Sequence, residues 1–168
     1  TGAPRRVSAQ PTIVRRSPEV GGHWPQDMLP LLRRIYSSRG ALDADSAQPR
    51  LAGLHPPALM RGIDAAVQLL AQAIGAGQRI LVVGDFDCDG ATATAVGVRG
   101  LRLLGATDVR HAVPNRMVHG YGLSVGLVAE LAVHEPQLLV TVDHGIACMA
   151  GVSAAKALGW QVLVTDHH

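Results

Sequence analysis

The chain has 168 residues, of which 48% are hydrophobic and 17% are charged, and its formal net charge is +2. This composition predicts a folded core and excludes a chain that is disordered throughout. The sequence contains no apolar run of the roughly 20 residues that a membrane-spanning helix needs, so we expect no membrane partner. Two cysteines are too few for a disulfide framework, and because no secretion signal is visible we expect a cytoplasmic protein.

The first 78 residues predict a tail followed by helices. Residues 1–22 are rich in Pro, Arg, Ser and Gly and show no periodicity, which is typical of a flexible tail. Apolar residues at helical spacing predict a helix over Trp24–Arg39. A second helix is predicted to open at Pro56-Pro57 and to end at Gly75. We therefore expect an N-terminal helical segment over residues 23–78 that packs on a sheet.

Strands and helices alternate from residue 79 onward. Four apolar runs predict strands, at Ile80–Val83, Val109–Val113, Leu138–Val142 and Val162–Thr165. Helical segments lie between them, over Ala91–Leu104, Ser124–His134 and Cys148–Leu158. This alternation predicts an α/β fold: a mostly parallel, Rossmann-like sheet with right-handed βαβ crossovers, preceded by the N-terminal helices.

Acidic residues and histidines follow three of the four predicted strands. The strands lead, in chain order, into Asp85-Phe86-Asp87-Cys88-Asp89-Gly90, Pro114-Asn115-Arg116, Asp143-His144-Gly145 and Asp166-His167-His168. Ligands bind beyond the carboxyl ends of the strands in such sheets. We therefore expect five of the thirteen acidic residues to lie at one edge of the sheet.

Gathered carboxylates repel one another, and a fold that gathers them usually supplies a cation. Asp87, Asp89, Asp143 and His167 form a mixed oxygen and nitrogen ligand set that suits one or two divalent ions, with Mn²⁺ or Mg²⁺ the best candidates. Two ions about 3.5–4 Å apart would hold the attacking and leaving oxygens of a phosphoryl displacement. Arg116, at the same predicted edge, is suited to bidentate phosphate binding.

Two other interpretations of the first segment stay open but explain less. Asp85, Asp87 and Asp89 have the spacing of an EF-hand loop, yet the twelfth loop position is Val96 rather than glutamate and a strand precedes the loop. Asp85 as the nucleophile and Asp87 as the general acid would suit an aspartyl-phosphate phosphatase, which leaves the later motifs unexplained. We interpret Cys88 as a small buried residue, because no catalytic partner for it is visible.

These segments resemble the motifs of a known superfamily. Gly84–Gly90 resembles the first motif of the DHH phosphoesterases, Asp143-His144-Gly145 resembles the third, and Asp166-His167-His168 resembles the triplet that gives the superfamily its name. Pro114-Asn115-Arg116 followed by Gly120–Ser124 is similar to the second motif of the RecJ branch, whose members are single-stranded-DNA-specific exonucleases. Leu32–Gly40 also resembles that branch. Val118-His119 departs from it, since an acidic residue is usual there.

The resemblance implies a role for each site residue. Asp87, Asp89, Asp143 and His167 would bind metal; His168 would face the scissile phosphate as a ligand or an acid/base group; Asp85 would support the site; and Arg116 would hold phosphate. A metal-activated water would attack a phosphodiester and release 5′-mononucleotides from single-stranded DNA in the 5′→3′ direction.

The resemblance also implies a biological setting and the limits of this chain. The setting would be DNA repair and recombination, with a single-strand-binding protein and a helicase as partners. Residues 79–168 would be an incomplete DHH catalytic domain, inactive or weak by itself, since the family places a further aspartate and a second domain after the triplet. The alternatives are a DHH phosphoesterase for short oligonucleotides or a nucleoside bisphosphate, and a non-catalytic scaffold that binds DNA.

Overall fold

The computed structural model describes residue 14, residues 22–48 and residues 50–168, and these form two compact units that divide between Pro56 and Pro57. The predicted tail, residues 1–22, lies outside the described residues apart from Val14 and Gly22. None of the described helices is long and apolar enough to cross a membrane.

The first unit contains helix α1 (Pro30–Ser37) and a 3-10 turn at Leu51–Gly53. The helix is shorter than the predicted Trp24–Arg39, because Pro30 disfavours helical geometry at the preceding residue, Leu29, whose φ and ψ are −54° and 130°. Trp24 stacks on Tyr36 with ring centroids 6.1 Å apart.

The second unit contains the predicted alternation of strands and helices. A 3-10 turn at Pro57–Leu59 precedes α2 (Ile63–Gly75), and the elements that follow are β1 (Arg79–Gly84), α3 (Cys88–Leu103), β2 (Asp108–Ala112), α4 (Arg116–His119), α5 (Val125–Leu131), a 3-10 turn (Ala132–His134), β3 (Leu138–Val142), α6 (Met149–Ala157) and β4 (Gln161–Thr165). Helix α2 begins later than predicted because Gly62, at φ 77°, separates it from the proline pair. The predicted α/β fold is confirmed.

The described strands form one parallel sheet with the order β2-β1-β3-β4. Val83 at the end of β1 aligns with Ala112 of β2 and Thr141 of β3, and Val142 aligns with Thr165 of β4. Strands β1 and β3 are buried almost throughout, which explains why their sequences are continuous apolar runs without alternation.

Helices cover both faces of this sheet. One core cluster joins α2 and α3 to the sheet through Ala73, Val82 and Val98, and the other joins α5 and α6 through Leu127, Leu139 and Ala155. Burying each large aliphatic side chain contributes about 1.5–3 kcal/mol to the stability of the fold. The two cores hold β1 and β3 side by side in the middle of the unit, and the ends of these strands position the site described next.

Candidate metal centre

The candidate site lies between β1 and β3, where the order in which strands are added to the sheet changes sides. From β1 the chain crosses to β2 on one side, and from β3 it crosses to β4 on the other. In open α/β sheets such a point leaves a crevice beyond the carboxyl ends of the two central strands. Asp85, Asp87 and Asp89 follow β1, and Asp143 follows β3, so the predicted carboxylates meet at this crevice.

The loop after β1 is tightly wound against the start of α3. Asp87 is the N-cap of α3, and its side chain accepts a hydrogen bond of 3.3 Å from the backbone N–H of Gly90. A Cβ at Gly90 would lie 2.5 Å from the backbone oxygen of Asp85, so only glycine fits there without displacing the loop. Asp85 is 3% exposed, and its Oδ1 has no hydrogen-bond partner among the described residues.

Two overlapping groups of side chains could each hold a cation. Asp87, Asp89 and Asp143 offer ligand atoms that lie within 4.8 Å of one another, and Asp143, His167 and His168 form a second such group. Asp143 belongs to both groups, as a carboxylate that bridges two adjacent ions would. Its φ of 67° is left-handed, a conformation that costs most L-residues about 1–2 kcal/mol and that concentrates at functional sites.

The charges of these carboxylates are poorly balanced by the protein itself. Among the described residues, their ion pairs involve only His167, whose Nε2 lies 2.7 Å from Asp143 Oδ1 and 3.8 Å from Asp89 Oδ2. Neither arginine nor lysine is paired with them in that part of the chain. Oxygen ligands joined by imidazole suit Mn²⁺ or a similar divalent ion, so the donor set fits the predicted metal.

Asp166 organises the end of β4. Its Oδ1 accepts hydrogen bonds from the backbone N–H groups of His167 (2.7 Å) and His168 (3.0 Å), and its Oδ2 accepts one from Ile146 (2.9 Å). Burial alone would raise the pKa of Asp166, but these hydrogen bonds outweigh burial and lower the pKa well below its usual range.

His168 is bound to Asp166 through one ring nitrogen. His168 Nδ1 lies 2.7 Å from Asp166 Oδ1, and this hydrogen bond raises the pKa of the imidazole, with partial burial opposing it. When the Nδ1–H group of the neutral ring donates a hydrogen bond to Asp166, Nε2 carries the lone pair and is free to bind a cation. Carboxylates orient metal-binding histidines in this way.

A chain of rings connects the histidines to Arg116. His168 meets Tyr121 edge to face with centroids 6.0 Å apart, and Tyr121 meets Phe86 at 6.4 Å. The guanidinium carbon of Arg116 lies 5.0 Å from the centre of the Phe86 ring. Burial and the neighbouring Asp85 charge raise the pKa of Tyr121, which keeps the phenol protonated. Arg116 therefore lies over the loop that carries the carboxylates.

All seven predicted site residues lie at or beside the crevice, and the structure adds others. Asp166 and Tyr121 were not predicted as site residues, although both lie within predicted motifs. His144 is fully buried; its Nε2 lies 3.1 Å from the Val83 backbone oxygen, and burial lowers its pKa, so it supports the site as a neutral ring. The prediction of a buried Cys88 was wrong, because α3 begins at that residue and exposes it.

A cleft of about 450 Å³ lies beside the crevice, between α3 and the ends of β3 and β4, and its walls include Asp89, Asp143 and His167. Two larger cavities contain none of the predicted site residues: one of about 570 Å³ lies at the amino ends of the strands, near Gln137, and one of about 680 Å³ lies in the first unit, near Leu51. Cavity size alone would therefore select the wrong part of the molecule, whereas the donor chemistry selects the smaller cleft.

Residues 79–168 match the family model described as the DHH family, N-terminal domain. The chain belongs to the DHH family. This DHH-family chain is 47% identical over 162 residues to the single-stranded-DNA-specific exonuclease RecJ of Salmonella typhimurium strain LT2, a match that covers 96% of this chain and 28% of that protein. It is 35% identical over 143 residues to the RecJ of Bacillus subtilis strain 168, with 83% and 18% covered.

Two solved structures are similar to this DHH-family chain. One is exonuclease RecJ bound to manganese, with a TM-score of 0.59 and 43% identity over 65% of this chain and 28% of that one. The other is RecJ in complex with Mn²⁺ from Thermus thermophilus, with a TM-score of 0.57 and 38% identity over 79% and 18%. The predicted resemblance to the DHH superfamily and its RecJ branch is confirmed, and the chain spans less than a third of the length of these relatives.

Proposed function

We propose that this chain is part of a metal-dependent exonuclease that degrades single-stranded DNA in the 5′→3′ direction to 5′-mononucleotides, in DNA repair and recombination. The observation that carries the proposal is the pair of overlapping ligand groups that share Asp143 at the β1/β3 crevice. The relatives, which are named as single-stranded-DNA-specific exonucleases, and the manganese-bound solved structures support it. A single-strand-binding protein and a helicase are the partners we propose.

The proposed metal ligands come from the ends of three strands. Asp87, Asp89 and Asp143 would hold one Mn²⁺ or Mg²⁺ ion, and Asp143 with His167 would hold a second, with His168 close enough to join it. Such ions, when bound, polarise a phosphate oxygen and lower the pKa of a bound water.

The remaining roles belong to groups that hold substrate or protons. His168, with its Nδ1 on Asp166, would present Nε2 to the scissile phosphate. Arg116 would bind the non-bridging phosphate oxygens, because its planar guanidinium can make two parallel hydrogen bonds. Asp85 is buried at the start of the segment that carries Asp87 and Asp89, residues 85–90, which we call the ligand loop, and it would hold that loop in place.

The decisive test is Asp143→Asn in the protein at its full natural length. Asparagine keeps the shape of the side chain and tolerates the left-handed φ of 67°, so the substitution removes charge with little strain. We expect loss of Mn²⁺-dependent digestion of single-stranded DNA and loss of Mn²⁺ binding. Asp108→Asn, on the surface ion pair with Arg110, is the matched control. Undiminished digestion by Asp143→Asn would refute the assignment.

Substrate length separates this proposal from the other DHH activities. A long single strand should be degraded in preference to a dinucleotide if the proposal holds. Preference for the dinucleotide or for a nucleoside bisphosphate would instead favour a small-substrate phosphoesterase. DNA binding without hydrolysis or metal binding would favour a non-catalytic scaffold.

A further inference from the structure

His119 has a buried side chain in an otherwise exposed segment. The His119 side chain is 8% exposed, whereas Met117 and Val118 beside it are 91% and 69% exposed. Both ring nitrogens are occupied. Nδ1 accepts the backbone N–H of Asn115 at 3.0 Å, and Nε2 lies 2.9 Å from Glu130 Oε1 on α5.

These two contacts fix the protonation of the ring. A backbone N–H can only donate, so Nδ1 must carry the lone pair and Nε2 the proton. The Nε2–H then donates to the carboxylate of Glu130. His119 is therefore a neutral bridge from the start of α4 to α5, with no ring nitrogen left for a metal or a substrate proton.

The segment that His119 holds is too short to be stable by itself. Helix α4 has four residues, far fewer than an isolated helix needs. Its N-cap is Asn115, whose Oδ1 accepts the N–H of Met117 at 3.0 Å, and His119 secures the N–H of that same cap residue. The next residue is Arg116, whose guanidinium lies over Phe86 within the ligand loop.

We propose that His119 is a positioning residue that fixes the first turn of α4, and with it Arg116, for binding the phosphate backbone of single-stranded DNA. This inference rests on the proposed function. It also gives a physical role to the departure from the family pattern at Val118-His119, since imidazole accepts from Asn115 on one side and donates to Glu130 on the other.

The test compares variants of the protein at its full natural length. His119→Phe keeps a ring and removes both hydrogen bonds, whereas His119→Asn keeps an acceptor near the position of Nδ1. His111→Phe, at an exposed histidine of β2, is the matched control. The readouts are KM and kcat on a single-stranded oligonucleotide with Mn²⁺, Kd for the same oligonucleotide without divalent metal, Mn²⁺ affinity, and amide hydrogen exchange over residues 115–122.

We expect His119→Phe to raise KM and Kd about tenfold and to accelerate exchange in this segment about tenfold, as for the loss of two hydrogen bonds, one of them to a carboxylate. The kcat and the Mn²⁺ affinity should stay within about twofold of the wild type, and His119→Asn should bring KM back to within about threefold. If His119→Phe does not fold, Glu130→Leu, at a 62% exposed side chain, should raise KM and Kd about threefold.

Three results would overturn the inference: unchanged KM and Kd in His119→Phe, a fall in kcat or Mn²⁺ affinity as large as the rise in KM, or a defect in His119→Asn as large as that of His119→Phe. If the wild-type protein does not digest single-stranded DNA, the proposed function fails. The binding and exchange measurements then still decide the role of His119, so the two failures are distinguishable.

Discussion

Replacing Gly90 with alanine places a methyl group where the ligand loop leaves no room. The new Cβ would lie 2.5 Å from the backbone oxygen of Asp85, whereas ordinary van der Waals contact begins at 3.4 Å, so the loop must retreat by about 0.9 Å. Gly100 lies in the same helix, α3, and a Cβ there meets nothing within 4 Å. The same substitution at Gly100 should gain the usual helix preference of alanine, about 0.5–1 kcal/mol.

The difference between the two variants isolates the steric clash. Overpacking typically costs about 1–3 kcal/mol, so Gly90→Ala should be less stable than Gly100→Ala by that amount. Disturbing the groups that orient metal ligands typically lowers metal affinity by about 10–100-fold. We therefore expect Mn²⁺ affinity to fall at least tenfold in Gly90→Ala and to stay unchanged in Gly100→Ala.

Hydrogen exchange of the β1 and β3 amides measures the free energy of opening of this unit, and a Mn²⁺ titration followed by electron paramagnetic resonance measures the affinity. Equal opening free energies in the two variants, together with wild-type Mn²⁺ binding by Gly90→Ala, would show that the loop is not held in the way described.

Three further predictions concern the core, the metal and a helix cap. Leu139→Ala should lower the opening free energy by about 2–5 kcal/mol by hydrogen exchange, since Leu139 is fully buried, whereas Leu103→Ala, at an 86% exposed side chain, should change it by less than about 0.5 kcal/mol. In thermal denaturation, Mn²⁺ should raise the Tm of the wild-type protein and EDTA should reverse this, whereas Asp143→Asn should show neither effect. Ser124 caps α5 by accepting the N–H of Leu127, so Ser124→Ala should destabilise α5 by about 1 kcal/mol by exchange, and Ser124→Asp should not.

The strands and their order along the chain were predictable because each is a compact apolar run. Leu138–Val142 was predicted with the bounds that the structure gives. Helix starts were less predictable, since a single backbone group decides them: Pro30 shortens α1, and Gly62 delays α2. Cys88 was predicted to be buried because its start-of-helix position was missed.

The presence of a site at the strand ends was also predictable, but its internal order was not. Motifs show that Asp143 and His167 lie at strand ends, whereas their 2.7 Å contact depends on β3 and β4 being neighbours. The hydrogen bonds that Asp166 accepts could not be predicted for the same reason. One of its hydrogen bonds reaches Ile146, on a different loop, and sequence spacing carries no information on such contacts.

The position of the crevice between β1 and β3 has a consequence for how the protein folds. Its ligands come from three strands that are distant along the chain, and the intervening segments form β2 and four helices. Parallel pairings of such separated strands form late, because each must close a long loop first. Metal binding by Asp87, Asp89 and Asp143 would then require that β1 and β3 have paired, and binding by Asp143 and His167 would also require β4, so Mn²⁺ binding followed during refolding would report when these strands pair.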